Sequence, residues 1–101
     1  MNITFTKENN VVIAVLEGRL DTPASMECAP VFEQLQAEAA STIVLDCKEL
    51  SYISSSGLRH FLSLRKAAAS KGGNVIVRHL SSSVRQVFMI TGFLNLFRIE
   101  D

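Results

Sequence analysis

Three consecutive serines, Ser54-Ser55-Ser56, stand immediately before Gly57-Leu58-Arg59, where an apolar stripe of helical spacing begins. Serine is favoured at a helix N-cap because its oxygen accepts a hydrogen bond from an otherwise unpaired backbone N–H. One serine meets that need, so two more invite a second explanation. A helix N-terminus favours anions, phosphate included. The run therefore reads in two ways: as caps and turn residues only, or as a phosphorylatable docking site.

Other chemistry is weaker. Ser55 and Gly57 supply half of a G-x-S-x-G nucleophile elbow, but position 53 is isoleucine. His60, His79 and Asp46 could complete a triad on paper, yet nothing in their spacing requires it, and an enzyme is not expected. His60 and His79 read as surface or boundary residues. Asp21, Asp46 and Glu49 could meet a cation, but isolated acids at loop starts are ordinarily solvated. Cys28 and Cys47 form no C-x-x-C pair. Zinc wants four ligands, so these read as reduced, semi-buried thiols of a cytoplasmic protein. No Gly-rich turn is followed by Lys-Ser/Thr, as a P-loop demands. No metal or cofactor is expected.

The elements that must position the serines follow from periodicity. Ile3 and Phe5 alternate with Thr4 and Thr6, the pattern of a half-buried strand. Lys7-Glu8-Asn9-Asn10 suits a tight connection. Val11–Leu16 is apolar throughout, which predicts a central strand covered on both faces, ended by Glu17-Gly18-Arg19-Leu20-Asp21. Thr22 can cap a helix with Pro23 in its first turn. Pro30 then means either a kink or a short turn before a main helix, since a mid-helix proline costs about 3 kcal/mol. Thr42–Asp46 is a second buried strand, with Asp46 at its carboxyl end. The helix Ser56–Lys71 puts Leu58, Phe61, Leu62, Ala68 and Ala69 on one face and Arg59, Ser63, Lys66 and Ser70 on the other. Gly72-Gly73 stops it, and Lys66 and Lys71 suit its carbonyl end. Val75-Ile76-Val77 is a third core strand. Ser81-Ser82-Ser83 offers a cap for a helix bearing Val84, Val87 and Phe88, ended by Gly92. Phe97-Arg98-Ile99 is a last short strand.

The order β-β-α-β-α-β-α-β predicts a single α/β domain over residues 1–101, a mixed sheet of four to five strands with three to four helices. Sites of such sheets lie at the carboxyl ends of the strands, where Asp46 and the serines are placed. At 101 residues a packed core is affordable. Ten basic and ten acidic residues cancel, so no direct contact with nucleic acid is expected. No apolar run approaches the ~20 residues of a membrane span, and Met1-Asn2-Ile3-Thr4 leads straight into strand periodicity without a signal peptide.

Across essentially its whole length the chain resembles a STAS domain of the bacterial anti-sigma factor antagonist type. The resemblance is carried by Glu17-Gly18-Arg19-Leu20-Asp21, Ile43-Val44-Leu45-Asp46 and Tyr52-Ile53-Ser54-Ser55-Ser56-Gly57-Leu58. Lys71-Gly72-Gly73 and Phe88-Met89-Ile90-Thr91-Gly92-Phe93 add to it. The family's central pattern is Asp-Ser-Ser/Thr-Gly-Leu, and its phosphate acceptor falls on Ser55. Its second hydroxyl falls on Ser56 and its loop aspartate on Asp21. The resemblance implies partner switching. The unphosphorylated protein binds an anti-sigma factor, often itself a serine kinase, and so frees a sigma factor. Phosphorylation ends the complex, and a serine phosphatase resets it. Implied partner-binding residues are Asp21, Ser54, Ser55, Ser56, Gly57 and Arg59, in a monomer or weak dimer.

Two departures stand out. The aspartate before the acceptor is Ser54 here, which removes a negative charge beside the switch and bears on kinase recognition. The further C-terminal helix common in the family has no counterpart before Asp101, so part of the core cover or of a partner surface is expected to be missing. The alternative reading is a non-switching STAS adaptor subunit of a signalling or lipid-transport assembly, its serines serving only as caps.

Overall fold

A computed structural model describes all 101 residues. The strands are β1 (Asn2–Glu8), β2 (Val11–Leu20), β3 (Thr42–Ile53), β4 (Asn74–Arg78) and β5 (Arg98–Glu100). The helices are α1 (Thr22–Glu27), α2 (Ala29–Ala37), α3 (Ser55–Lys71) and α4 (Ser82–Thr91), with a 3-10 turn at Phe93–Asn95. The five strands lie in the order β1-β2-β3-β4-β5, the first pair antiparallel and the rest parallel. Each parallel crossover steps in the same direction across the sheet. Right-handed connections of that kind stack every helix on one face.

Burial follows that face. Val12, Ile43 and Val75 are cross-strand neighbours, as are Ala14, Leu45 and Val77, and all six join one cluster of 23 buried residues under the helices. Val44, 3% exposed on the opposite face, is the one buried hydrophobe outside that cluster. β2 is interior, as its apolar run predicts, but it is covered by helices on one side only. Val11 is exposed and Ile13 and Val15 are half-buried on the other side. Apolar neighbours within the sheet, and not a second helix layer, account for its unbroken hydrophobicity.

Two strands run further than periodicity predicts. Glu17–Leu20 continues β2, and Cys47–Ile53 continues β3, so the stretch before the serines is strand and not loop. β3 gains one residue on β2 between Asp46 and Glu49 and another between Leu50 and Tyr52. These bulges break the period of two: Ile43, Leu45 and Cys47 are buried two apart, whereas Cys47, Leu50 and Ile53 are buried three apart. Asp46 is therefore mid-strand, paired with Val15 and Arg78, and not at the carboxyl end beside the serines.

The proline question resolves at Cys28, where α1 ends and α2 begins, with prolines in the first turns of both. α1 is capped by Asp21, not Thr22: the Asp21 carboxylate accepts from the Ala24 N–H at 3.0 Å. On α3 the buried residues are Gly57, Leu58, Phe61, Leu64 and Ala68. Leu64 replaces the expected Ala69, which is exposed, and Leu62 is half-buried. Phe61 is the hub, with its ring centroid 6.2 Å from Phe32, 5.9 Å from Phe88 and 6.4 Å from Phe97. Lys71 donates to the Gln36 carbonyl at 2.9 Å, bridging to α2.

Cys28 and Cys47 are both free thiols and buried. Burial raises the Cys28 thiol, the N-terminal ammonium opposing and Glu27 adding to the rise. Burial pushes the Cys47 thiol up to about 12, with adjacent Asp46 adding to it. An unfolded cysteine ionises near ~8.5. The unfolded state therefore loses this proton first on going alkaline. The Cys47 contribution to stability is intact below that pH and is lost as pH rises toward the folded value. Cys47→Ala lacks this loss. Its difference in unfolding free energy from the parent is expected to narrow between about pH 8 and about pH 10. Urea titrations giving the same difference at both pH values would contradict the assignment.

Candidate functional site

Two helix N-termini meet at the carboxyl ends of β2 and β3. β2 runs into Asp21, the cap of α1, and β3 runs into Ser54, the cap of α3. The Ser54 N–H donates to the Leu20 carbonyl at 2.9 Å, so the two strand ends are tied before either helix starts. Gly57 makes the close packing possible. A Cβ there would sit 2.9 Å from both the Ile53 Cγ1 and the Leu20 Cγ, nearer than such atoms approach. The first turn of α3 therefore lies directly on the two strand ends.

The three serines have separate duties. The Ser54 hydroxyl accepts from the Gly57 N–H at 3.2 Å and lies 3.0 Å from the Ser56 hydroxyl. Ser56 in turn reaches the Thr22 hydroxyl at 3.5 Å, linking the two helix starts. Ser55 is exposed at the first position of α3, and its hydroxyl makes no hydrogen bond within the chain. The second triplet divides its hydroxyls in the same way, Ser81 capping and lying 3.4 Å from the Ser83 hydroxyl, but it also bonds to β3. Ser81 caps α4 and donates to the Leu50 carbonyl, while Ser83 donates to the Ser51 carbonyl. That triplet clips α4 to β3 and leaves only Ser82 without a bond.

Asp21, Ser54, Ser55, Ser56 and Gly57 thus come together, with Arg59 exposed one turn along α3. Asp21 is half-buried and committed to α1: its carbonyl accepts from the Ser25 N–H and hydroxyl, besides the cap bond. Asp46 stands apart, its carboxylate accepting from the Lys48 N–H at 3.1 Å. His60 stacks on Phe32 with centroids 4.5 Å apart and planes 2° from parallel, and its Nε2 lies 2.8 Å from the Ser25 carbonyl. It pairs with no serine hydroxyl. His79 is exposed in a left-handed backbone conformation at φ 60°. No three His, Cys, Asp or Glu side chains converge in a way that could hold a metal ion.

Two features beside the serines carry no sequence signal of their own. A shallow groove of about 330 Å³ between α1–α2 and α3 is lined by Ser25, Met26, Ala29, Ser56, Arg59, His60 and Ser63. Met26 on its rim is 73% exposed. On the strand side, the Arg19 guanidinium lies 4.5 Å above the half-exposed Tyr52 ring. Helical spacing alone could have paired Met26 with Ala29, but their placement against α3 is tertiary.

The STAS domain family model matches residues 2–101. BtrV of Bordetella bronchiseptica, a candidate anti-sigma factor antagonist, is 35% identical over 108 residues, covering 100% of this chain and 87% of that protein. The anti-sigma F factor antagonist of Paenibacillus polymyxa is 31% identical over 104 residues, covering 100% and 89%. Among solved structures, a candidate anti-sigma factor antagonist of Thermotoga maritima superposes with a TM-score of 0.86 at 21% identity, over 98% of this chain and 86% of that one. The unphosphorylated form of the anti-sigma factor antagonist SpoIIAA superposes at 0.74 and 22% identity, covering 99% and 88%. SpoIIAA has also been solved in its phosphorylated form, which superposes equally well. No helix of the present chain is long and apolar enough to cross a membrane. With a family match across nearly every residue and a relative above 30% identity along the full chain, this protein belongs to the STAS domain family, and its homologues include bacterial anti-sigma factor antagonists.

Proposed function

We propose that residues 1–101 act as one STAS domain, a cytoplasmic anti-sigma factor antagonist working by partner switching, with Ser55 as the phosphorylated residue. The observation that carries the reading is the division of labour among the serines. Ser54 and Ser56 are held by hydrogen bonds, whereas Ser55 offers an exposed, unengaged hydroxyl. In the unphosphorylated form the surface around Asp21, Ser54, Ser55, Ser56, Gly57 and Arg59 docks an anti-sigma factor that is itself a serine kinase. The kinase removes the Ser55 hydroxyl proton, transfers the γ-phosphoryl group of ATP to the oxygen and releases ADP. A serine phosphatase returns the hydroxyl by hydrolysis.

The electrostatics suit a switch that changes affinity and not the fold. Phosphoserine carries about −1.5 to −2 charges at neutral pH. At the first position of a helix that charge is tolerated, or favoured by roughly 0.3–1 kcal/mol. At an interface that would bury it unpaired, it costs several kcal/mol. Ser55→Asp is therefore expected to weaken binding to the cognate kinase by about 2 kcal/mol or more, roughly thirty-fold, with the melting temperature little changed. Calorimetric titration checks this, and undiminished affinity would sink the switching reading.

The second reading, a non-switching adaptor, is favoured by Ser54 standing where the family pattern has aspartate. Incubation with the cognate kinase and ATP, read by intact mass, separates the two. Gain of one phosphate, absent in Ser55→Ala, supports switching; no gain supports the adaptor.

A further inference from the structure

Arg59 is the odd member of its residue type. The chain has six arginines. Arg19 lies over Tyr52, Arg65 donates to the Leu96 carbonyl, Arg78 and Arg98 meet Glu100, and Arg85 meets Asp101. Arg19 and Arg59 both lack a hydrogen bond and an ion pair, but Arg19 rests on the Tyr52 ring, and Arg59 alone has no partner of any of these kinds. α3 also carries no acidic residue over its whole length, so nothing on that helix neutralises it.

Arg59 stands four residues after Ser55 on the same helix, and both are exposed. Side chains spaced i and i+4 are neighbours on a helix surface, and an acid placed N-terminal to the base is the better order. Long helical side chains also lean toward the N-terminus, which carries the guanidinium back over the turn holding Ser55. On α3 no other cation competes; at the strand ends below, Arg19 is engaged with the Tyr52 ring and the Asp21 carboxylate with the Ala24 N–H. His60 is held between Phe32 and the Ser25 carbonyl, and Lys66 is two further turns along the helix.

We propose that Arg59 is the intramolecular counter-ion of a phosphate on Ser55. This rests on Ser55 being the modified residue. In the unmodified chain the free guanidinium lines the groove with Met26 and Ala29, open to a docking partner. Phosphorylation draws it off the groove into a charge-assisted pair with the phosphate. One event then adds an anion at the helix start and withdraws the one uncommitted arginine from the interface. Arg59 is a positioning and specificity residue of the switch.

The test needs no kinase. Phosphoserine is installed at position 55 by codon-directed incorporation, and its second ionisation is followed by phosphorus NMR in the parent chain, Arg59→Gln and Arg59→Lys. The helix N-terminus acts alike on all three, so its contribution cancels. With Arg59 present the phosphate is expected to titrate lower by roughly 0.15–0.4 pH unit than in Arg59→Gln. Arg59→Lys should restore part of the shift, and added salt should shrink it. Equal midpoints for the parent and Arg59→Gln at low salt would overturn the proposal. Failure of a kinase to modify Ser55 would count against the functional reading and leave this result untouched.

Discussion

Phe61→Ala is expected to lower the unfolding free energy by about 3–5 kcal/mol, the range for removing a large buried aromatic from a close-packed core. Phe61 is fully buried and touches three of the five other phenylalanines, from α2, from α4 and from the turn into β5. Its own helix carries Ser55 and Arg59. The cavity would therefore open beneath the site helix, where the sheet and the aromatic cluster leave little room for collapse. Total stabilities of small domains are about 5–15 kcal/mol, so such a loss brings the variant close to unfolding at ambient temperature. Urea or guanidinium unfolding followed by circular dichroism measures it. A loss below about 1 kcal/mol would mean that the cluster repacks freely and does not anchor α3.

The second large effect separates two adjacent glycines that helix-stop logic treats alike. Gly72 is the left-handed cap of α3 at φ 81°, with open space where a Cβ would go. Alanine there meets only backbone strain, about 1–2 kcal/mol. Gly73 has an ordinary backbone conformation, but a Cβ would overlap the carbonyl oxygens of Ala39 and Ser41. Those atoms belong to the connection entering β3, and the Asn74 N–H is bonded to the Ser41 carbonyl at 3.3 Å. Neither carbonyl can yield without moving a strand. Gly73→Ala is therefore expected to cost about 3 kcal/mol or more, at or beyond the top of the overpacking range, and clearly more than Gly72→Ala. Melting curves of the two variants side by side decide it, and equal losses would show that the connection before β3 yields at little cost.

Stability and the proposed switch meet at one helix. The features that hold α3, Phe61 beneath it and Gly57 at its base, lie on its inward side. Ser55, Arg59, Ser63 and Lys66 face solvent. If the surface around Ser55 docks the partner as proposed, a charge added there changes that surface without passing through the core.

Much was legible in the sequence because it is written locally. A cap within each serine triplet, helix stops at Gly72-Gly73 and Gly92, and the exposed stripe of Arg59, Ser63, Lys66 and Ser70 all depend on bonds or spacings within one turn; the structure puts the caps on Ser54 and Ser81 and starts α3 at Ser55, one residue before the predicted Ser56. The order of strands and helices followed from periodicity for the same reason. What depended on a second segment was not legible. The length of β3 and the mid-strand place of Asp46 come from bulges that exist only against β2. The cap of α1 is a different kind of miss: Asp21 and not Thr22 accepts the Ala24 N–H, a bond within one turn for which both side chains qualify by type. Gly73 is needed because a distant carbonyl pair approaches it. The serine run shows the same division. Its sequence predicts a cap, which Ser54 supplies to the Gly57 N–H within one turn, and a surplus of hydroxyls; only the tie of Ser56 to Thr22 comes from a distant segment. Local hydrogen bonds are fixed by residue type and spacing, whereas exposure and freedom from partners are properties of everything else that arrives there.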